Sequence, residues 1–137
     1  SLYNKESIYN KYSALQRENR MSLDALEVEF HLIIRKKETD AHSAAFGRGI
    51  ARLCEGVEQT GSLNKACKEM GMAYSKAWRI MRNTEDSLGI KLLERHGAHG
   101  SVLTDDAKRL LHVFRKTELS LRNIAQDTLD ASLREES

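Results

Sequence analysis

The chain has 137 residues, with 22 Lys or Arg and 20 Asp or Glu, so its net charge is +2 with neutral histidines. Apolar residues make up 40% and charged residues 31%, a balance typical of a folded domain rather than of a disordered segment. Two cysteines are too few for a disulfide framework, and no run approaches the roughly 18 apolar residues of a membrane span. Since no signal peptide opens the chain, we expect a reduced, cytoplasmic protein.

The N-terminal segment predicts a helix followed by a strand. Ile8, Tyr12 and Leu15 share one face of a helix predicted over 2–20. Residues 26–34 alternate between apolar and mostly polar side chains and are rich in β-branched and aromatic types. This period of two predicts a β-strand with one buried face.

Three helices are predicted in the middle of the chain. The first covers 44–60 and should end at Gly61, because glycine commonly caps helix C-termini. Two shorter helices follow at 62–70 and 73–88, and a tight turn that contains glycine joins them. This arrangement predicts a helix-turn-helix.

A hairpin and a long helix complete the predicted fold. Residues 91–103 hold two apolar pairs around a glycine-containing turn, which indicates a wing, and Thr104 should cap a helix over 105–130. We therefore expect a mostly α protein with a small β-sheet: a winged helix-turn-helix with an N-terminal strand and a long C-terminal dimerisation helix. The predicted segments are an N-terminal helical extension at 1–25, a DNA-binding domain at 26–104 and the dimerisation helix at 105–137.

The charge distribution favours nucleic acid more than the net charge does. Residues 62–104 carry seven basic and four acidic side chains, an excess of +3. An α-helix fits the major groove of DNA, where Arg pairs with guanine and Asn with adenine. The alternative is a solvated basic face, which many surface helices have. The candidate DNA contacts of the second short helix are Ser75, Lys76, Arg79, Arg82 and Asn83.

Other candidate contacts lie beside that helix. Ser62 is a predicted N-cap, where backbone N–H groups also attract phosphate. The wing adds Arg95, His96, His99 and Ser101 near the minor groove. The two histidines can equally be exposed loop residues without a ligand, and the sequence predicts no metal site.

The C-terminal helix has an apolar stripe that is longer than a small domain needs. Thirty helical residues extend about 45 Å, so the far half should pack on a second copy or on the 2–20 helix, unless the last turns fray. The candidate dimer contacts are Leu110, Phe114, Leu121 and Ile124.

The stretch GSLNKACKEMGMAYSKAW resembles the N-terminal DNA-binding domain of ModE-type molybdate-responsive regulators. LGIKLLERHGAHGSVLTDDAKRLL is similar both to that family and to LysR-type helix-turn-helix domains, and the preceding LEVEFHLIIRK and FGRGIARL also look like ModE. The resemblance implies a bacterial or archaeal, nucleoid-associated regulator. It implies that strand 26–34 pairs with the wing, that 62–70 supports the recognition helix at 73–88, and that the long helix forms a homodimer.

This sequence departs from the family pattern at several positions. Ala73 replaces a serine, Ala107 replaces a glycine, and the glycine-rich wing becomes HGAHGS. ModE regulators carry further domains that bind molybdate, and we expect no such domain, no cofactor and no molybdate sensing in this chain.

Two functions fit the sequence. The first is a homodimeric, sequence-specific transcriptional regulator that binds double-stranded DNA with helix 73–88 and flanks it with the 91–103 wing. The alternative is a protein–protein interaction module on a winged-helix scaffold without DNA binding. An enzyme is not expected, because the sequence lacks paired carboxylates, a nucleophile–base arrangement and a glycine-rich phosphate loop.

Overall fold

The computed structural model describes residues 3–40, 42–97 and 100–135. In this part of the chain, five helices and one two-stranded antiparallel sheet follow one another. The predicted fold class, mostly α with a small sheet and a long C-terminal helix, is confirmed. The elements are α1 Tyr3–Asp24, α2 Arg48–Thr60, α3 Leu63–Glu69, α4 Tyr74–Leu88, β1 Leu93–Arg95, β2 Ser101–Leu103 and α5 Asp105–Glu135.

The chain divides into two compact units. The central unit is His31–Leu119, and the terminal unit contains the described residues up to Phe30 together with those from Ser120 onward. Helix α5 contributes to both. This grouping by contact differs from the three sequence segments 1–25, 26–104 and 105–137.

The core of the central unit is apolar and forms around two phenylalanines. Phe46 and Phe114 pack edge to face with their ring centroids 5.5 Å apart. Leu53, Leu63 and Met81 are fully buried beside them. Each of these side chains contributes about 1.5–3 kcal/mol by leaving water. The core therefore joins α2, α3, α4 and α5 within this unit.

The turns between the three central helices follow the predicted capping residues. Gly61 adopts φ 71° and its N–H donates to the Val57 carbonyl at 2.8 Å, which ends α2. The Ser62 hydroxyl accepts from the Lys65 N–H at 3.3 Å and begins α3. Gly89 ends α4 with the same left-handed geometry as Gly61.

The hairpin formed by β1 and β2 packs against the turn between α2 and α3. Leu93 pairs with Leu103, and Arg95 pairs with Ser101. The Ser101 N–H donates to the Gly61 carbonyl at 3.0 Å. A Cβ on Gly100 would collide with that same carbonyl oxygen, so the close approach of the two turns requires glycine.

The prediction of a β-strand over 26–34 is wrong. Only Ile34 forms a β-bridge, and its partner is Phe46 rather than a wing strand. The alternation is real, since Val28, Phe30, Leu32 and Ile34 are half-buried and the residues between them are exposed. A strand also needs a neighbour that pairs with its backbone along its length, and in this segment only Ile34 has such a partner.

A side chain binds part of this extended segment instead. In the terminal unit, the Gln126 amide accepts from the Val28 N–H at 2.8 Å and donates to the Leu26 carbonyl at 3.2 Å. These two bonds satisfy backbone groups that a neighbouring strand would otherwise have bonded.

The predicted helix boundaries also need correction. Helix α2 begins at Arg48 rather than at residue 44, because the backbone of Phe46 is bonded to Ile34 in both directions at 2.9 Å. The first helix reaches Asp24 rather than residue 20, and α5 reaches Glu135 rather than residue 130.

Candidate nucleic-acid interface

Helix α4 presents one polar, basic face to solvent and one buried face to the core. Ala77, Met81 and Thr84 are buried on the inner side. The first acidic residue of the helix is Glu85, so more than two turns precede any negative charge. The exposed face (hereafter the α4 face) consists of Ser75, Lys76, Arg79, Arg82 and Asn83, all of which are exposed as their pattern predicts.

Trp78 lies at the edge of the α4 face and contacts the hairpin. The guanidinium carbon of Arg95 lies 4.2 Å from the centroid of the Trp78 ring. This cation–π contact joins α4 to β1. The Trp78 indole N–H is buried and has no hydrogen-bond partner in the described part of the chain.

Tyr74 is exposed, although it lies on the same side of the helical wheel as the buried Ala77 and Met81. It is 45% exposed and meets Trp78 edge to face, with 6.1 Å between the ring centroids. Tyr74 is the first residue of α4, so no preceding helical turn covers it. That position at the helix start was the sequence signal for its exposure.

The predicted hairpin contacts separate into different environments. Arg95 and His96 are exposed, whereas Ser101 is buried with only 8% of its surface accessible. His99 lies outside the described residues. Ser62 is half-buried and uses its hydroxyl as the α3 cap. Among the described residues of this group, the exposed polar side chains are therefore those of Arg95 and His96.

Glu85 holds the start of the hairpin against α4. Its carboxylate accepts from the N–H of Leu92 at 2.7 Å and from that of Leu93 at 3.5 Å. At the other end, the Thr104 hydroxyl donates to the Lys91 carbonyl at 2.6 Å and accepts from the Ala107 N–H at 3.1 Å. Lys91, which no sequence motif singles out, is thereby placed beside the α4 face, and its side chain is exposed.

The candidate dimer residues of α5 also have different environments. In the central unit, Phe114 is only 3% exposed and Leu110 is half-buried against the same core. In the terminal unit, Leu121 is 42% and Ile124 is 62% exposed. Phe114 is already packed inside its own chain, so the accessible candidates are Leu121 and Ile124.

Other types of site have few candidate residues. Among the described residues, no group of three or more His, Cys, Asp or Glu side chains is placed to hold a metal ion. No described helix has an apolar stretch long enough to cross a membrane. Burial raises the pKa of the Cys54 thiol from 9.0 to about 12, with smaller contributions from Glu58 and Glu55.

Comparisons with known proteins agree with this geometry. Residues 51–108 match the family of bacterial regulatory helix-turn-helix proteins of the lysR type. A molybdenum transport protein ModE from Azotobacter vinelandii is 30% identical over 102 residues, which cover 72% of this chain and 37% of that protein. A protein of the same name from Herbaspirillum seropedicae is 34% identical over 76 residues, which cover 53% of this chain and 28% of that protein.

The matched range contains α3, α4, the hairpin and the start of α5, together with most of α2. The chain spans only about a third of the length of these two curated relatives. The chain therefore carries a ModE-like helix-turn-helix domain of the bacterial lysR type, as its sequence motifs predict.

Proposed function

We propose that this chain is a sequence-specific, DNA-binding transcriptional regulator that acts in the bacterial cytoplasm as a binding protein rather than as an enzyme. The observation that carries the proposal is the α4 face: five exposed polar or basic side chains on the second helix of a helix-turn-helix, with no acidic residue before Glu85. An α-helix of this kind fits the major groove of B-DNA.

Side-chain chemistry decides which residues of the α4 face would contact bases and which would contact phosphate. Arg79 and Asn83 lie one helical turn apart and carry the groups that form bidentate pairs with guanine and adenine. Ser75 and Lys76 lie in the first turn and bind phosphate or base edges. Arg95 and His96 are exposed on the hairpin, and in this proposal they contact the same duplex. Phosphate contacts supply most of the affinity, and base contacts supply the sequence preference.

The regulator is a homodimer in this proposal. Leu121 and Ile124 lie three residues apart on α5 and are exposed within the terminal unit, so they form an apolar face that a second copy can cover. Two-fold symmetry in the protein would require a two-fold related pair of DNA half-sites.

Fluorescence anisotropy with a labelled, random-sequence duplex tests DNA binding before any operator is known. We expect binding at low salt that weakens linearly on logarithmic axes as salt rises, because bound cations are released from the phosphates. A charge-reversed variant, Lys76→Glu/Arg79→Glu, should bind much more weakly. Absence of binding at low salt, or affinity that does not change with salt, would contradict the proposal.

A protein partner is the second candidate, and the exposed side chains of α1 favour it. Ile8, Tyr9, Tyr12 and Leu15 are all more than half exposed on one helix of the terminal unit. A winged-helix module that binds only protein would keep its cellular function after the charge reversal of Lys76 and Arg79. A DNA-binding regulator would lose it.

A further inference from the structure

A groove of about 350 Å³ lies between α4 and β1, beside the α4 face. This protein groove adjoins the helix surface that would enter the major groove of DNA, and Arg82 belongs to both. Its walls combine three cationic side chains, one carboxylate and two apolar side chains. The lining residues are Trp78, Arg82, Glu85, Lys91, Leu93 and Arg95.

The charges in this groove are uncompensated by ion pairs. In the ranges that the structure describes, neither Arg82 nor Lys91 has a carboxylate within 4.0 Å, and Arg95 contacts the neutral Trp78 ring. Glu85 supplies the one negative charge of the lining, and its carboxylate already accepts two backbone N–H groups. The lining therefore has a net charge of +2, from three cations and one carboxylate.

One of the cations is held in position before any ligand arrives. The Arg95 guanidinium lies over the Trp78 ring, and Trp78 is itself fixed by the edge-to-face contact with Tyr74. A stacked guanidinium keeps its full charge and its N–H donors, and less side-chain entropy is lost when an anion binds. Such preorganisation is typical of a binding site rather than of a freely solvated surface arginine.

We propose that this groove binds one phosphate group of a nucleic-acid backbone, with Arg82, Lys91 and Arg95 as its cationic ligands. The inference rests on the proposed function and deepens it by assigning a phosphate contact to Lys91. Because Arg82 also belongs to the α4 face, a duplex on that face passes beside the groove. Free inorganic phosphate offers the same chemistry, so the experiment separates the two sources.

The first arm measures the salt dependence of duplex binding by anisotropy. A lysine that contacts phosphate weakens binding to all sequences when removed, and the slope of log affinity against log salt falls by about one. For Lys91→Ala, the loss of affinity between 50 and 200 mM salt should be about fourfold smaller than for the wild type. Lys116→Ala is the matched control, since it removes an exposed lysine of α5 that does not line the groove.

The second arm uses Trp78, which is the only tryptophan of the chain and so reports directly on the groove. Duplex DNA should change its emission in the wild type and in Lys116→Ala, and the change should be reduced in Lys91→Ala and in Arg95→Gln. Titration with inorganic phosphate at constant ionic strength should leave the emission unchanged if the site selects the backbone phosphate. An equal change with free phosphate would overturn the assignment to nucleic acid.

The phosphate site is also overturned if Lys91→Ala and Lys116→Ala have the same salt slope while the wild type binds DNA. A wild-type protein that fails to bind any duplex contradicts the proposed function itself, so the two failures are distinguishable. Far-ultraviolet circular dichroism confirms that each variant is folded before its binding is compared.

Discussion

Arg79 occupies the middle of the α4 face, exposed and one helical turn from Asn83. A guanidinium at this position can form two parallel hydrogen bonds to a guanine. Arg79→Ala should therefore weaken specific binding by about 1–3 kcal/mol and relax the base preference at one position. Binding constants for a selected site and for its single-base variants measure both effects. An equal loss on every sequence would instead make Arg79 a phosphate contact.

Cys54 is a buried thiol whose titration the fold changes. Burial, then the charges of Glu58 and Glu55, raise the pKa of its thiol from 9.0 to about 12. The folded chain therefore keeps a proton that the unfolded chain releases above pH 9. The resulting stability is fully present below that pH and is lost as the pH rises towards 12.

Cys54→Ala should accordingly make the free energy of unfolding less dependent on pH above 9. Urea unfolding of the variant and of the wild type, below pH 9 and above it, gives the comparison and cancels the titration of the other groups. Identical pH dependence in the two proteins would contradict the raised pKa. The native thiol should also be unreactive towards alkylating reagents at neutral pH.

Single residues were predictable where their neighbours in sequence decide their environment. The five residues of the α4 face are exposed because a helix with one apolar face must turn the opposite face outward. Ser101 and Phe114 were less predictable, since the Gly61 turn and the Phe46 ring that cover them come from distant parts of the chain.

At the scale of elements, α2 and α3 approach each other closely at Gly56. A Cβ on Gly56 would lie 2.6 Å from the Ala66 Cβ, so the two helices would have to separate. Gly56→Ala should therefore lower the free energy of unfolding by about 1–3 kcal/mol, despite the better helix propensity of alanine.

Gly49→Ala is a control within the same helix. Apart from its chain neighbours and the backbone of its own helix, no atom of the described residues lies within 4 Å of the position that its Cβ would occupy, so the substitution should be neutral or stabilise by up to about 1 kcal/mol. Thermal or urea unfolding of both variants tests the packing. If Gly56→Ala were as stable as Gly49→Ala, the close contact between α2 and α3 would be refuted.

Which elements could be predicted depends on where their hydrogen bonds are made. Helices α2, α3 and α4 bond within themselves, and Gly61, Ser62 and Gly89 mark their ends in the sequence. The extended segment at 26–34 depends on a partner from elsewhere, and the alternation of its side chains predicts burial but not pairing. Its backbone contacts with Gln126 and Phe46 were therefore beyond the sequence pattern.

At the scale of the whole molecule, the proposed dimerisation uses the exposed apolar face of α5 in the terminal unit. Leu121→Glu/Ile124→Glu should shift the protein from dimer to monomer, because buried charges at a self-complementary interface have no partner. Light scattering coupled to size exclusion measures the mass. Asn123→Glu, which adds a charge at an exposed position of the same helix, should remain a dimer. A wild-type monomer at micromolar concentration would contradict this role for α5.

We propose that a dimer reads DNA with the α4 face. Selection of bound sites from a random DNA library by the purified protein tests it most directly. We expect a two-fold related pair of half-sites, separated by about one helical turn or 34 Å, and loss of this enrichment in Lys76→Glu/Arg79→Glu. Failure to enrich any sequence, or the same enrichment with the charge-reversed variant, would contradict it.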